Sequence, residues 1–83
     1  LREIITRGGK YMTLDKAKRG QNLRISSIPS EYVRAQAIRF GISEGALVVC
    51  EQVIPAGPVV VRRNKQEIAI GRGLARDIQV EVV

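Results

Sequence analysis

In the stretch from Asn22 to Ile28, Leu23 and Ile25 alternate with polar neighbours, and this two-residue period predicts a half-buried strand. Leu14 and Ala17 offer apolar anchors just upstream, and Gly20 permits the turn between. Pro29 ends the strand. Ser30 then stands where its side chain can cap the free amides of a helix, and Glu31 suits the positive helix end. Val33, Ala37 and Phe40 follow at i, i+4 and i+7, the stripe of a helix laid on a core, with Gly41 where a left-handed C-cap is wanted. On this spacing Phe40 is expected to be a core plug. Arg34, Ile38 and Arg39 fall off the stripe and become candidates for docking a partner.

After a second turn glycine, Gly45, the pattern turns to β. Residues 46–54 read as a long strand with apolar residues on both faces for half its length, so both sides are expected to be covered. Pro55 to Pro58 forms a rigid loop. Val59–Arg63 and Gln66–Ile70 flank Asn64 and Lys65 as a hairpin, since asparagine tolerates positive φ. Residues 71–77 have room for one helical turn, and Ile78, Val80 and Val82 alternate with Gln79 and Glu81 in a closing strand. About five short strands and one short helix in a mainly β chain favour a closed or nearly closed barrel of the SH3-like kind, because closure removes sticky edges. Residues 1–11 read as an N-terminal tail before a single domain at 12–83, and Ile4 and Ile5 in that tail offer a route to weak self-association.

Composition narrows the chemistry. The 83 residues include no histidine, so a thiol or hydroxyl nucleophile lacks its usual base, and the eight carboxylates are scattered without an evident acid–base pair. The chain reads as not an enzyme. Cys50, the one cysteine, excludes an internal disulfide and sits among valines as a small buried hydrophobe. Without histidines or several cysteines a protein-made transition-metal site is not expected, and no cofactor motif is present. Thr6–Tyr11 has a Gly-Lys pair but not the spacing of a P-loop, and Gly71–Arg76 reads as a turn in preference to an anion cradle. No apolar run reaches membrane length and no secretory leader is evident, so a cytoplasmic location is expected, without stable membrane insertion.

Fourteen Lys and Arg against eight Asp and Glu give +6, which favours an acidic partner. Arg62, Arg63, Lys65, Arg72 and Arg76 cluster in sequence around the hairpin and the turn after it. A solvated or protein-facing basic surface fits them better than a nucleic-acid groove, because aromatics for stacking are few.

Three segments together resemble the FeoA family: AIRFGISEGALVVC, PAGPVVVRRNKQEIAIG and LARDIQVEV, in that order and spacing, spanning Met12 to Val83. Their parts are a helix ending Phe40-Gly41-Ile42, the turn glycine Gly45, the loop Pro55, Gly57, Pro58, the strand Ile68-Ala69-Ile70 and the terminal Ile78 and Val80. The resemblance implies an SH3-like barrel and a protein-binding role at the cytoplasmic, GTPase-bearing region of a FeoB-type ferrous-iron transporter, peripheral to the inner membrane through that partner. It also brings the family's association with transition metal ions. The same barrel is similar to the C-terminal domain of DtxR-type iron-dependent repressors. Many relatives carry Arg-Leu two residues before an aliphatic-acidic pair on the helix, whereas here Gln36, Ala37, Ile38 and Arg39 occupy those positions. Two alternatives remain: from the basic residues, a barrel that binds nucleic acid, and from the resemblance, a detached regulatory domain of a metal-dependent repressor.

Overall fold

A computed structural model describes residues 10–83. Six strands form one antiparallel sheet in the order β1-β6-β2-β3-β4-β5, with β1 Lys10–Thr13, β2 Asn22–Ser27, β3 Leu47–Val53, β4 Val59–Arg63, β5 Gln66–Ile70 and β6 Gln79–Val82. A 3-10 turn, Leu14–Lys16, follows β1, helix α1 spans Glu31–Ile38 between β2 and β3, and the four-residue α2, Arg72–Ala75, leads into β6. The mainly β, SH3-like architecture read from the sequence is therefore present, with one strand more than expected. That strand is β1, which pairs Lys10 with Val82 and Tyr11 with Glu81. Four residues without apolar alternation give no side-chain signal, and β1 is held by backbone hydrogen bonds to β6. Of the expected tail, only Lys10 and Tyr11 are described. Ile4 and Ile5, and the reading of them as a self-association segment, lie outside the described residues.

Alternation decides which way each strand faces. Leu23 and Ile25 of β2, Val48 and Cys50 of β3, Val59 and Val61 of β4, Ile68 and Ile70 of β5 and Val80 of β6 all point to one buried side. Irregular registers at Ile25/Ser27 and at Cys50/Gln52 bend β2 and β3, which lets the sheet wrap around that side. Leu14, Ile28, Ile42 and Ile78 close the core from the connections and are buried to within 1%.

The expectation that β3 is covered on both faces does not hold. Leu47 is 57% exposed and Gln52 is exposed, whereas Val48 and Cys50 are buried. One eight-residue helix and a four-residue one can cover only one side of a sheet this wide, so the outer face of β3 stays in water.

The turns follow their residues. Ser30 Oγ accepts a hydrogen bond from the Val33 amide at 3.3 Å, the side-chain cap that starts α1. Asn64 takes φ +60° at the hairpin tip. In the loop between β3 and β4, the Gly57 amide donates to Ile54 O at 2.8 Å, and a Cβ at Gly57 would stand 2.9 Å from Ile54 Cγ2. A side chain there would force the Ile54 side chain to move.

Candidate functional site

The end of α1 shapes the most distinctive surface. Gly41 adopts φ +78°, its amide donates to Ile38 O at 3.1 Å, and the Ile42 amide donates back to Ala37 O at 3.1 Å. This pair of bonds is a Schellman cap, in which the residue after the left-handed glycine folds back onto the last helical turn. Ile42 therefore fills the core beside Ala37, and Phe40 is left outside, 52% exposed. The reading of Phe40 as a core plug is corrected by this geometry: α1 stops at Ile38, so the helical spacing that aligned Phe40 with Val33 ends before reaching it. Val33 and Ala37 are buried as the stripe requires.

Phe40 becomes the rim of an apolar cleft of about 40 Å³ between α1, β5 and α2. Its walls include Ala37, Ile42, Ile68, Ile70 and Leu74, and Gln36 is the one polar side chain among the lining residues. A cleft of this size holds more than one water yet offers almost nothing for water to bond to, so an aliphatic side chain suits it better.

The arginines do not form one patch. Arg34 donates to Ile28 O at 2.8 Å and lies 3.7 Å from Glu44, whose other contact is the Ile28 amide at 3.1 Å; it ties α1 to the end of β2. Arg62 donates to Glu51 at 2.8 Å on the outer face of the sheet. Arg72 donates to Ile54 O at 2.6 Å and to Asp15 O at 3.2 Å, stitching α2 to the end of β3 and to the 3-10 turn. Arg63 lies over the end of α1, so close that a Cβ on Gly41 would stand 3.2 Å from its Nη1, a favourable place for a cation beside the negative helix end. Ile38 is 61% exposed, and Arg39, Lys65 and Arg76 are exposed. Lys65 and Arg76 are not neighbours: β5 runs from the hairpin tip to α2, which separates them by roughly 15 Å at ~3.4 Å per residue. Arg63, at the end of β4, and Lys65, in the hairpin loop, thus stand at the tip end of β5, and Arg72 and Arg76 follow its other end.

Sequence reasoning missed Phe40, Ala69 and Leu74 as cleft residues. The signal for Phe40 was present in Gly41, since a Schellman glycine sends the residue after it, not the one before it, back onto the helix.

A second, wider groove of about 410 Å³ crosses the outer sheet face and includes Leu47, Val49, Val83 and Arg62 in its lining. On the same face Glu81 is 6% exposed and pairs with Arg24 at 3.2 Å, so its buried carboxylate is compensated. Cys50 is fully buried and its thiol is pushed up from the ordinary 9.0, chiefly by burial and further by the Glu51 charge, while the Gln52 amide hydrogen bond opposes the shift. A thiol so placed is a poor nucleophile. Among the described residues no group of three His, Cys, Asp or Glu is arranged to hold a metal ion, and no helix is long and apolar enough to cross a membrane.

Comparison with solved structures places the fold among known ones. The chain superposes on a FeoA protein from Chlorobium tepidum with TM-score 0.75, 27% identity, and coverage of 87% of this chain and 70% of that one. It superposes on an Iron Uptake Regulatory Protein (FeoA) with TM-score 0.82, 23% identity, and coverage of 89% and 100%. T. acidophilum IdeR matches with TM-score 0.78 at 21% identity, but there the similar region is only 34% of that chain. A search by sequence among curated proteins finds no match. The FeoA domain model matches residues 12–82, nearly the whole of the chain, and the chain therefore belongs to the FeoA family.

Proposed function

We propose that this chain is a non-enzymatic adaptor or regulator of ferrous-iron transport that binds the cytoplasmic, GTPase-bearing region of a FeoB-type transporter. The observation that carries the reading is the FeoA domain match over residues 12–82. The geometry supports it: the surface features are an apolar cleft and exposed cations, which suit recognition of another protein better than bond-making chemistry. Iron is the transporter's cargo, and the adaptor acts through contact with the transporter. Its place is the cytoplasm, peripheral to the membrane through that partner.

Calorimetry with the purified GTPase-bearing region of the cognate transporter tests this reading. Saturable binding is expected, weakened by moderate salt because exposed cations take part. Absence of heat at concentrations near 100 μM, the range of weak adaptor contacts, refutes it. A single-stranded oligonucleotide serves as the control, and no binding at low salt is expected, since Arg34, Arg62 and Arg72 are held by the protein's own oxygens.

One alternative has an observation in its favour. The similarity to a Manganese-dependent transcriptional repressor, TM-score 0.79 over 43% of that chain at 17% identity, suits a regulatory domain detached from a repressor. An upstream helix-turn-helix in the same reading frame would establish it.

A further inference from the structure

The cleft beside Phe40 adjoins a sheet edge. β5 is the last strand in the sheet order, and its hairpin with β4 has the two-residue loop Asn64–Lys65, with Arg63 opposite Gln66. In such a hairpin the pair flanking the loop exchanges both hydrogen bonds, and the pattern then alternates. Arg63/Gln66, Val61/Ile68 and Val59/Ile70 are therefore the bonded pairs. Glu67 and Ala69 turn their amides and carbonyls away from β4, and among the described residues these groups find no backbone partner.

Resting on the adaptor reading above, we infer that β5 accepts an extended segment of the partner as a seventh strand, with an aliphatic side chain in the Phe40 cleft and acidic residues toward the hairpin tip. Three features converge on this occupant. The outward amides and carbonyls of Glu67 and Ala69, without a backbone partner among the described residues, suit a strand, because only extended backbone repeats donors and acceptors at that spacing. The apolar lining between Phe40 and Leu74 demands an aliphatic side chain, since a polar one would lose its water bonds without replacement. Arg63 and Lys65 stand at the tip end, where Glu67 is the one β5 carboxylate, so the local field favours acid on the incoming strand.

The probe is a fluorescein-labelled peptide of alternating valine and threonine with two glutamates at one end, compared with the same peptide carrying lysines there. The glutamate peptide is expected to bind at least about tenfold more tightly. Binding should protect the Glu67 and Ala69 amides from hydrogen exchange in the unmodified protein and leave the Ile68 amide unchanged. Ala69→Pro removes one of the two outward donors, and Phe40→Ser opens the cleft; each should weaken the peptide about tenfold or more. Unprotected Glu67 and Ala69 amides at saturating peptide, or no binding of the glutamate peptide, overturn the inference, and the amide measurement decides even if Ala69→Pro fails to fold. Run in parallel, the GTPase-bearing region separates the two readings: if it binds the Ala69→Pro and Phe40→Ser variants as tightly as the unmodified chain, strand addition fails while the adaptor function stands. If it binds neither variant nor the unmodified chain, the adaptor function itself fails.

Discussion

Replacing Ile42 and Phe40 by alanine, one at a time, tests the cap at the end of α1 directly. Ile42 is 1% exposed, so Ile42→Ala removes nearly all of a buried side chain and leaves a void, at a cost of about 3 to 4 kcal/mol. Phe40 is 52% exposed; a phenylalanine buries about 200 Å² when fully enclosed, so roughly 100 Å² is at stake, and alanine retains part of it. At ~25 cal/mol per Å² this gives about 1 to 2 kcal/mol for Phe40→Ala. A plain helical stripe running on to Phe40 would assign the larger loss to Phe40, about 3 to 5 kcal/mol, as is usual for a buried phenylalanine. The two geometries therefore predict opposite orders. Urea unfolding followed by far-UV circular dichroism measures both, since the chain has no tryptophan to report by fluorescence. With a slope near 1 kcal/mol per molar urea for so small a domain, the midpoints should fall by about 3 M for Ile42→Ala and 1 to 2 M for Phe40→Ala. A domain of this size has only about 4 to 12 kcal/mol in all, so Ile42→Ala sits near the limit of folding. A larger loss at Phe40 than at Ile42 would refute the Schellman cap and the cleft that depends on it.

Gly41→Ala should cost about 1 to 2 kcal/mol for the left-handed φ and more for the crowding against Arg63, whereas Gly20→Ala, at φ +90° with open space around it, should cost only the first part; thermal melts of the two variants check the difference. Arg72→Ala should lower the melting temperature by several degrees, corresponding to about 1 to 2 kcal/mol for two partly exposed charge-assisted bonds, while Arg39→Ala should move it by less than a degree or two. Equal shifts would remove Arg72 from the role of a stitch between α2, β3 and the 3-10 turn. Cys50 should react with a thiol reagent far more slowly in the folded protein than in urea, and because its folded thiol holds the proton more tightly than the unfolded one, stability should fall as pH rises through and above 9.0. A Cys50→Ala variant should show a flatter alkaline limb, and identical limbs would remove Cys50 from that pH dependence.

Much of this fold could be read before any coordinates. Alternation in residues 22–28, 59–70 and 78–82 locates strands because a half-buried sheet must place apolar residues every second position, and Ser30 and Gly41 bracket α1 because helix ends need an oxygen and a left-handed residue. The same local chemistry gives the turns at Gly45 and Asn64. β1 could not be read this way, since its four residues are held by partners on β6 nearly seventy positions away. Nor could the outer face of β3, because covering it depends on how many helices the whole chain has to offer.

The candidate site divides along the same line. The residue types at the cleft, an aromatic beside a cap glycine and a run of cations after β4, stand in the sequence for anyone to see. Whether each cation is free is a matter of what the fold brings near it: Arg72 reaches two carbonyls of residues 15 and 54, and Arg34 reaches Ile28, while Arg39 and Lys65 remain exposed. Local sequence determines backbone preference and facing over a few residues, because those energies come from neighbours in the chain. Which faces stay open, which edge lacks a partner and which charges are already spoken for are decided only when distant segments meet, and those are the features on which recognition depends.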